Sequence, residues 1–390
     1  MRDAAQPIVV FASFSGTGGV ERMLVNLMQG FVERGRSVDL LLAGADSPHL
    51  ERLPAEVRRV DLGTAHTLLA AFPLARYLRR NHPAALLAAK DRAGRAAVLA
   101  RRLAGTGTRI VLRLGTNLSA AMAERSAPSR WLRYAPIRWT YPHIDHVVAV
   151  SDGVAEDTAR IARIPRSRIS VVRNPVITPD LAEQAALPCS HPWLTDRGGT
   201  RVPVIVGAGR FQRQKDFPTL IRAFAGLRAQ RPCRLLLLGD GRGRAALEAL
   251  VQDLGIDADV DLPGFQSNLY PFLAGADLFV LSSAWEGSPN VLTEAMALGT
   301  PVVATDCPSG PREILDNGRF GPLVPVADVH VLSDAMAATL DHPLDPRTLR
   351  DAVADYNQTV SAGRYLAVLD GEDPARSDAP TGTRTASESS

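Results

Sequence analysis

Short apolar runs punctuated by glycine alternate with amphipathic stretches along most of this chain, the rhythm of parallel strands joined by helices. IVVFASF at 8–14, the loop SGTGG, a helical period over about 20–34 and the run SVDLLLAG form a first β-α-β unit. The order continues through PAALLAA, a helix over 91–104, RIVLRLG, HVVAVS with a helix from Asp152, and RISVVRNPV. A second series starts at VPVIVGAGR and runs through PTLIRAFAGLRAQ, CRLLLLGDG, RAALEALVQDLG, DVDLPGF and LYPFLAGA. It reaches the strand-like DLFVLSS, which ends at Ser283. Ser288 and Pro289 then supply an N-cap and a first-turn residue, so the next helix is predicted over about 290–298. Gly299 is placed to end it in a left-handed cap before PVVAT.

The repeated rhythm predicts two Rossmann-like, doubly wound α/β domains facing each other across a cleft. A chain of 390 residues suits two cores. The boundaries fall at 1–180 for the N-terminal domain, 181–200 for a linker rich in Pro, Gly and polar residues, and 201–370 for the C-terminal domain. A last helix over about 357–369 is placed to cross back to the N-terminal domain, and the tail 371–390 lacks apolar residues and reads as disordered. No apolar stretch approaches a membrane span, and no signal-like segment precedes the first strand, which points to a cytoplasmic protein. Cys189, Cys233 and Cys307 are scattered without metal spacing, so neither disulfide nor metal is expected.

The net charge of +3 hides an asymmetry, since fourteen Arg or Lys face two acids between Arg76 and Arg138. Within SRWLRYAPIRWTYP, Arg130, Arg133 and Arg138 interleave with Trp131, Leu132, Tyr134, Ile137 and Trp139. Such a segment, 130–141, suits peripheral contact with an anionic membrane surface, and a solvated arginine face over buried aromatics is the plain alternative. No nucleic-acid partner is expected.

Candidate chemistry lies in the loops at the strand ends. Glu286 precedes the helix at 290–298 and Glu294 lies more than one turn inside it, while position 291, where a capping box would carry an acid or amide, is Val291. The amides of Asn290 and Val291 are therefore free for a phosphate, with a carboxylate on either side, which is the layout of a nucleotide sugar. GAGRFQRQKDF adds Arg210 and Lys215, a fork and a point charge suited to a diphosphate. Lys215 is one of only two lysines among 44 basic residues, the other being Lys90. The glycine runs at Gly16, Gly18, Gly19 and at Gly239, Asp240, Gly241, Gly243 read as tight turns or ligand loops. Asp257, Asp259 and Asp261 read as a solvated turn, and His143 and His146 as structural.

GRFQRQKD, EGSPNVLTE and TDCPSGPREIL, over about 202–338, resemble the donor domain of family 4 glycosyltransferases of the GT-B fold. GTGGVERMLVNL, AVSDGVAED and VRNPV extend the resemblance over most of the chain. It implies a retaining transferase that moves a sugar from a nucleoside diphosphate without a metal or other cofactor, the nucleotide sugar being a co-substrate. Glu286, Arg210 and Lys215 would be catalytic. The donor set would comprise Gly18, Gly19, Arg210, Lys215, Gly239, Asp240, Phe265, Glu286, Gly287, Asn290, Val291 and Glu294, with Glu286 on the sugar and Glu294 on the ribose. The TDCPSGPREIL form points to a UDP-sugar, UDP-hexose or UDP-N-acetylhexosamine, and to a lipid-linked or glycan acceptor in envelope polysaccharide or glycolipid assembly. Many relatives carry a His where this chain has Gly115 and Thr116, so Arg113 or Asn117 is expected on the acceptor side. A nucleotide-sugar epimerase of the same architecture and a non-catalytic sugar-binding protein are the competing readings.

Overall fold

The structure is a computed structural model that describes residues 6–375 apart from 15, 17, 65 and 196–201. Seven parallel strands form the first sheet: β1 (Ile8–Phe14), β2 (Val38–Ala45), β3 (Val57–Asp61), β4 (Ala85–Ala89), β5 (Arg109–Leu114), β6 (His146–Ala149) and β7 (Ile169–Val171). Their spatial order is β3-β2-β1-β4-β5-β6-β7. Along β1 the side chains divide between two cores, Val9 and Phe11 toward one face and Ile8, Val10, Ala12 and Phe14 toward the other. Both faces are apolar because helices cover both, which is why the strands read as continuous runs rather than as alternations. The helices Ala71–Asn81, Asp91–Ala104, Ala127–Thr140 and Asp152–Ala162 lie on the first face, and Gly19–Glu33 on the second.

The second sheet has six parallel strands: β8 (Val204–Ala208), β9 (Arg234–Leu238), β10 (Val260–Gly264), β11 (Leu278–Leu281), β12 (Val302–Thr305) and β13 (Leu323–Val324). Their order is β10-β9-β8-β11-β12-β13. In each sheet the strand order reverses beside the first strand, between β1 and β4 and between β8 and β11. Loops leaving adjacent strands at such a reversal diverge to opposite faces and open a crevice at the carboxyl ends.

The segment read as linker carries two short helices, Leu181–Ala186 and Pro192–Thr195, and its end at 196–200 lies outside the described residues, as does the tail at 376–390. The last helix, Gln358–Asp370, packs on the N-terminal sheet: Ala362, Tyr365, Leu366, Val368 and Leu369 join the core behind β1. Its contact with Gly19–Glu33 is close, since a Cβ at Gly30 would stand 2.6 Å from that of Ala362. Arg36 donates to both oxygens of Asp370, at 2.7 and 2.9 Å.

Gly30 lets two helices meet where no larger residue fits, so Gly30→Val is expected to lower stability by about 1–3 kcal/mol through overpacking. Urea unfolding checks this. Adding Ala362→Gly should restore part of the loss, and an unchanged midpoint for Gly30→Val would contradict the close approach.

Candidate functional site

The crevices of the two sheets face each other, and the residues singled out in the strand-end loops meet there. β8 leads into Arg210 and the turn Arg213–Lys215, and β11 leads into Glu286. Lys215 Nζ donates to Glu286 Oε1 at 2.6 Å, and Ser283 Oγ donates to the same oxygen at 2.7 Å. Gln214 Nε2 reaches Glu286 Oε2 at 3.4 Å and the Trp285 carbonyl at 2.9 Å. The loop is itself anchored, because Ser282 Oγ donates to the Lys215 carbonyl at 2.7 Å and Thr305 Oγ1 to that of Ser283 at 2.6 Å. Glu286 is buried, so the pairing with Lys215 offsets the cost of desolvating its charge. Burial, followed by the nearby Glu286 carboxylate, pushes the Cys307 thiol up to about 12.

The helix Asn290–Leu298 has the expected bounds, but its N-cap is Pro289 rather than Ser288, with no side-chain cap. Pro289 holds an extended φ of −73° and ψ of 102°, and its carbonyl already receives the amides of Leu292 and Thr293. The first turn carries no acidic residue, and Gly299 closes the far end at φ 83°. Glu294 is 1% exposed. One of its oxygens accepts from Arg22 of the opposite domain, whereas Oε2 is buried without a hydrogen-bond partner among the described residues. Burial works against the charge on Arg22, but Glu294 and Tyr270 more than offset it and hold the guanidinium above its ordinary value. Arg22 also lies over the Tyr270 ring, 5.7 Å from its centroid.

Backbone meets backbone between the halves at Gly287: a Cβ there would stand 2.2 Å from the Gly115 carbonyl oxygen. Asn290 donates to the Gly19 carbonyl at 3.3 Å and accepts from Asn174 at 2.8 Å. Gly16 and Gly18 lie under Arg210, whose guanidinium would be 3.9 and 3.5 Å from a Cβ at those positions. On the N-terminal side Lys90 Nζ donates to the buried Glu21 at 2.9 Å, and Lys90 holds a left-handed φ of 74° at the end of β4. Such strain persists where the surroundings fix the backbone. Glu313 reaches across to accept from the amides of Asp152 and Gly153 at 2.9 and 3.0 Å and from Arg173 at 2.6 Å.

The other expected residues also make contacts within the protein. Arg113 is 3% exposed and donates to Asn174 Oδ1 at 2.9 Å. Asn117 accepts from the Ala120 amide at 3.0 Å, capping the helix Leu118–Ala121, and donates to Ser309 across the cleft at 2.8 Å. The glycines at 239, 241 and 243 are needed by the protein's own backbone, since a Cβ on Gly239 would lie 2.0 Å from the Gly209 carbonyl and those on the other two would press on Phe211. Asp240 accepts from the Gly241 amide at 2.7 Å within that turn. Phe265 is about half exposed, and Val291 is partly buried. Asp259 and Asp261 bond Arg228 and His191 at 2.6 and 2.9 Å, consistent with a structural turn.

Arg22, Gln214, Ser283 and Asn174 were not singled out in sequence, although each lies within or beside a quoted motif. Glu21 and Lys90 carried a usable signal: a lysine in an arginine-biased chain and an acid at the glycine loop.

Residues 202–342 match the family described as glycosyl transferases group 1, and residues 17–179 match glycosyltransferase family 4. The chain is 36% identical over 163 residues to the lipopolysaccharide core biosynthesis glycosyltransferase LpsE of Rhizobium meliloti, covering 42% of this chain and 46% of the relative. It is 29% identical over 243 residues to the N-acetylgalactosamine-N,N'-diacetylbacillosaminyl-diphospho-undecaprenol 4-alpha-N-acetylgalactosaminyltransferase of Campylobacter jejuni, covering 62% of this chain and 63% of the relative. These matches thus span about half to under two thirds of the relatives' length. Among solved structures, HepE of Anabaena in complex with UDP and glucose superimposes with a TM-score of 0.75 at 17% identity, over 94% of this chain and 100% of that one. The apo form of the lipopolysaccharide outer core galactosyltransferase WaaB gives 0.69 at 19% identity, over 93% and 99%. Both share the two-domain α/β architecture.

Burial raises the thiols of Cys307 and Cys233 to about 12 and about 11, which leaves roughly one part in a thousand or less as thiolate at pH 8. In the folded protein a disulfide reagent at pH 8 is expected to label only the half-buried Cys189, and all three cysteines after denaturation. Mass mapping of the labelled thiols is the measurement; labelling of Cys307 at the rate of Cys189 would contradict this packing.

Proposed function

The chain belongs to the group 1 and family 4 glycosyltransferases, and from that premise we propose a retaining transferase that moves a sugar from a UDP-sugar to a lipid-linked or glycan acceptor in envelope glycan assembly. The observation that carries the reading is the disposition of two buried carboxylates about one helix start. Glu286 turns an oxygen toward Lys215, and Glu294 keeps a buried Oε2 without a partner among the described residues, placed to accept from a ribose hydroxyl. The C–O bond between the anomeric carbon and the diphosphate breaks as the acceptor oxygen forms its bond on the same face, and the departing phosphate oxygen takes the acceptor proton. Negative charge gathers on the diphosphate, where Arg210, Lys215 and the amides of Asn290 and Val291 stabilise it without a metal ion. Glu286 faces the sugar and acts as neither nucleophile nor proton donor.

A uridine donor, UDP-hexose or UDP-N-acetylhexosamine, is supported by the complexes of HepE with UDP and with UDP-glucose. The names of the LpsE and Campylobacter jejuni relatives support a lipopolysaccharide or diphospho-undecaprenol type of acceptor. An epimerase would draw on carboxylates of the N-terminal half, yet Glu21 is paired with Lys90, and Asp91 with Arg95 and Arg133.

Membrane contact forms part of the proposal. Within Ala127–Thr140, Ile137 is buried and Arg133 turns inward to Asp91 at 2.7 Å, whereas Trp131, Leu132 and Trp139 are 64, 69 and 78% exposed. Phe72 on the same face of the sheet is 65% exposed. Among the described residues no helix is long and apolar enough to cross a membrane. These side chains suit peripheral docking on an anionic bilayer, at the cytoplasmic face of the plasma membrane.

With a panel of UDP-, GDP- and ADP-sugars and a membrane extract as acceptor, release of free nucleotide is expected from a UDP-sugar. Glu286→Ala and Lys215→Ala should each lower kcat/KM by about a hundredfold or more. Rates unchanged in both variants would refute the site. In flotation with anionic liposomes, Trp131→Ser combined with Leu132→Ser and Trp139→Ser should leave the protein at the bottom of the gradient, and flotation equal to that of the parent would overturn the docking surface.

A further inference from the structure

A cavity of about 460 Å³ opens in the N-terminal half beside the contact between Gly115 and Gly287. Its charged wall holds Lys90, Arg92, Arg113, Arg133 and a single acid among the described lining residues, Asp91. That acid is already paired with Arg133 at 2.7 Å and Arg95 at 3.0 Å, and accepts from the Tyr141 hydroxyl at 3.1 Å. Lys90 is paired with Glu21, but Arg92 has no ion pair among the described residues. Arg113 is the unusual member. It is 3% exposed, its side-chain partners Asn174 and Tyr365 are both neutral, and its Nε is buried without a partner among the described residues. Burial pulls its guanidinium below the ordinary value, with only weaker compensation from Tyr365 and Glu21. A buried cation lacking a carboxylate is costly, and an anion placed in the adjacent space removes that cost. Apart from a few hydroxyls, among them Ser13, Thr116 and Thr158, the remaining wall carries an apolar stretch of Val20, Leu114, Leu118, Ile137 and Ile161. Ile137 belongs to the helix Ala127–Thr140, whose other face presents Trp131, Leu132 and Trp139 outward.

We infer that this cavity binds the phosphate-bearing head of an amphiphilic acceptor, with Arg92 and Arg113 holding the anion and the apolar wall taking the first carbons of the chain. The inference rests on the reading of the cleft as a transfer site, and it adds that the acceptor is anionic close to its lipid. An acceptor so held has its reactive hydroxyl beside Gly287 and Glu286, while its tail leaves along the helix that faces the bilayer.

Titration calorimetry of the full chain tests it, with farnesyl diphosphate, inorganic pyrophosphate, farnesol and UDP as separate ligands. Farnesyl diphosphate is expected to bind at least about tenfold more tightly than either farnesol or pyrophosphate. Arg92→Gln, at an exposed position, should weaken farnesyl diphosphate about tenfold while leaving UDP affinity unchanged. Arg113→Gln should do the same, and Arg113→Lys should recover part of the loss. Unaltered farnesyl diphosphate affinity in Arg92→Gln, equal affinity for farnesol or pyrophosphate, or displacement by UDP would overturn the inference. Absence of UDP binding to the parent protein, with the farnesyl diphosphate pattern intact, would instead count against the donor reading alone.

Discussion

The approach of Gly287 to the Gly115 carbonyl sets the distance between the two halves, and the site depends on that distance. A Cβ at Gly287 would fall 2.2 Å from the oxygen and 2.6 Å from the carbonyl carbon, so any side chain would force the domains apart. Glu286 immediately precedes this contact, and the N-terminal cavity begins immediately beyond it. On either side, polar groups fix the angle at which the halves meet. Asn290 joins the Gly19 carbonyl and Asn174, Asn117 reaches Ser309, and Glu313 covers the first amides of the helix Asp152–Ala162. Those amides carry the positive end of a helix dipole, so a carboxylate from the other domain is a well-matched clasp.

Within this frame the cleft is organised by three carboxylates, each buried and each held by a cation. Glu21 has Lys90, Glu286 has Lys215, and Glu294 has Arg22. An unpaired buried carboxylate costs several kcal/mol, and each cation offsets that cost for the acid it meets. Glu286 has further donors besides its cation. Lys215 can turn toward a diphosphate while Ser283 and Gln214 continue to hold Glu286, so an arriving anion need not leave that acid without a donor. The Arg22 contact has a different consequence. It joins the helix behind the N-terminal glycine loop to Glu294, so any ligand of Glu294 and the relative position of the domains meet at one guanidinium.

Much of the architecture was legible because its signals are local. The helix 290–298 and its left-handed Gly299 follow from glycine, proline and an apolar run, and the two-domain parallel α/β architecture follows from the repeated strand and helix rhythm. What sequence reasoning missed is non-local. Arg22 and Glu294 are separated by 272 positions, and nothing near either residue announces the other. Arg113 was placed on the acceptor side because Gly115 and Thr116 stand where relatives carry a His, and its partner Asn174, 61 positions on, could not be read from the sequence. Gly239, Gly241 and Gly243 read as a tight turn or a ligand loop, and the structure shows the backbone there passing close to Gly209 and Phe211. Close backbone approach and ligand approach leave the same mark in a sequence, and only the fold distinguishes them.

The bias toward arginine now has a structural explanation that bears on the two lysines. Much of the basic excess between Arg76 and Arg138 is spent inside the N-terminal half. Arg79 donates to the Leu103 carbonyl at 2.5 Å, Arg109 to that of Val368 at 3.1 Å and Arg138 to that of Ile161 at 3.1 Å. A guanidinium presents several donors in a fixed fork and stays charged when partly buried, so it can bind a loop carbonyl and still carry its charge to the surface. An ammonium is a compact charge on a flexible stem and does this less well. The two positions that retain lysine, Lys90 and Lys215, both face a buried glutamate at a strand end in the cleft, one in each domain. Lysine thus stands where one flexible charge meets one buried acid, and arginine where a fixed fork reaches loop carbonyls.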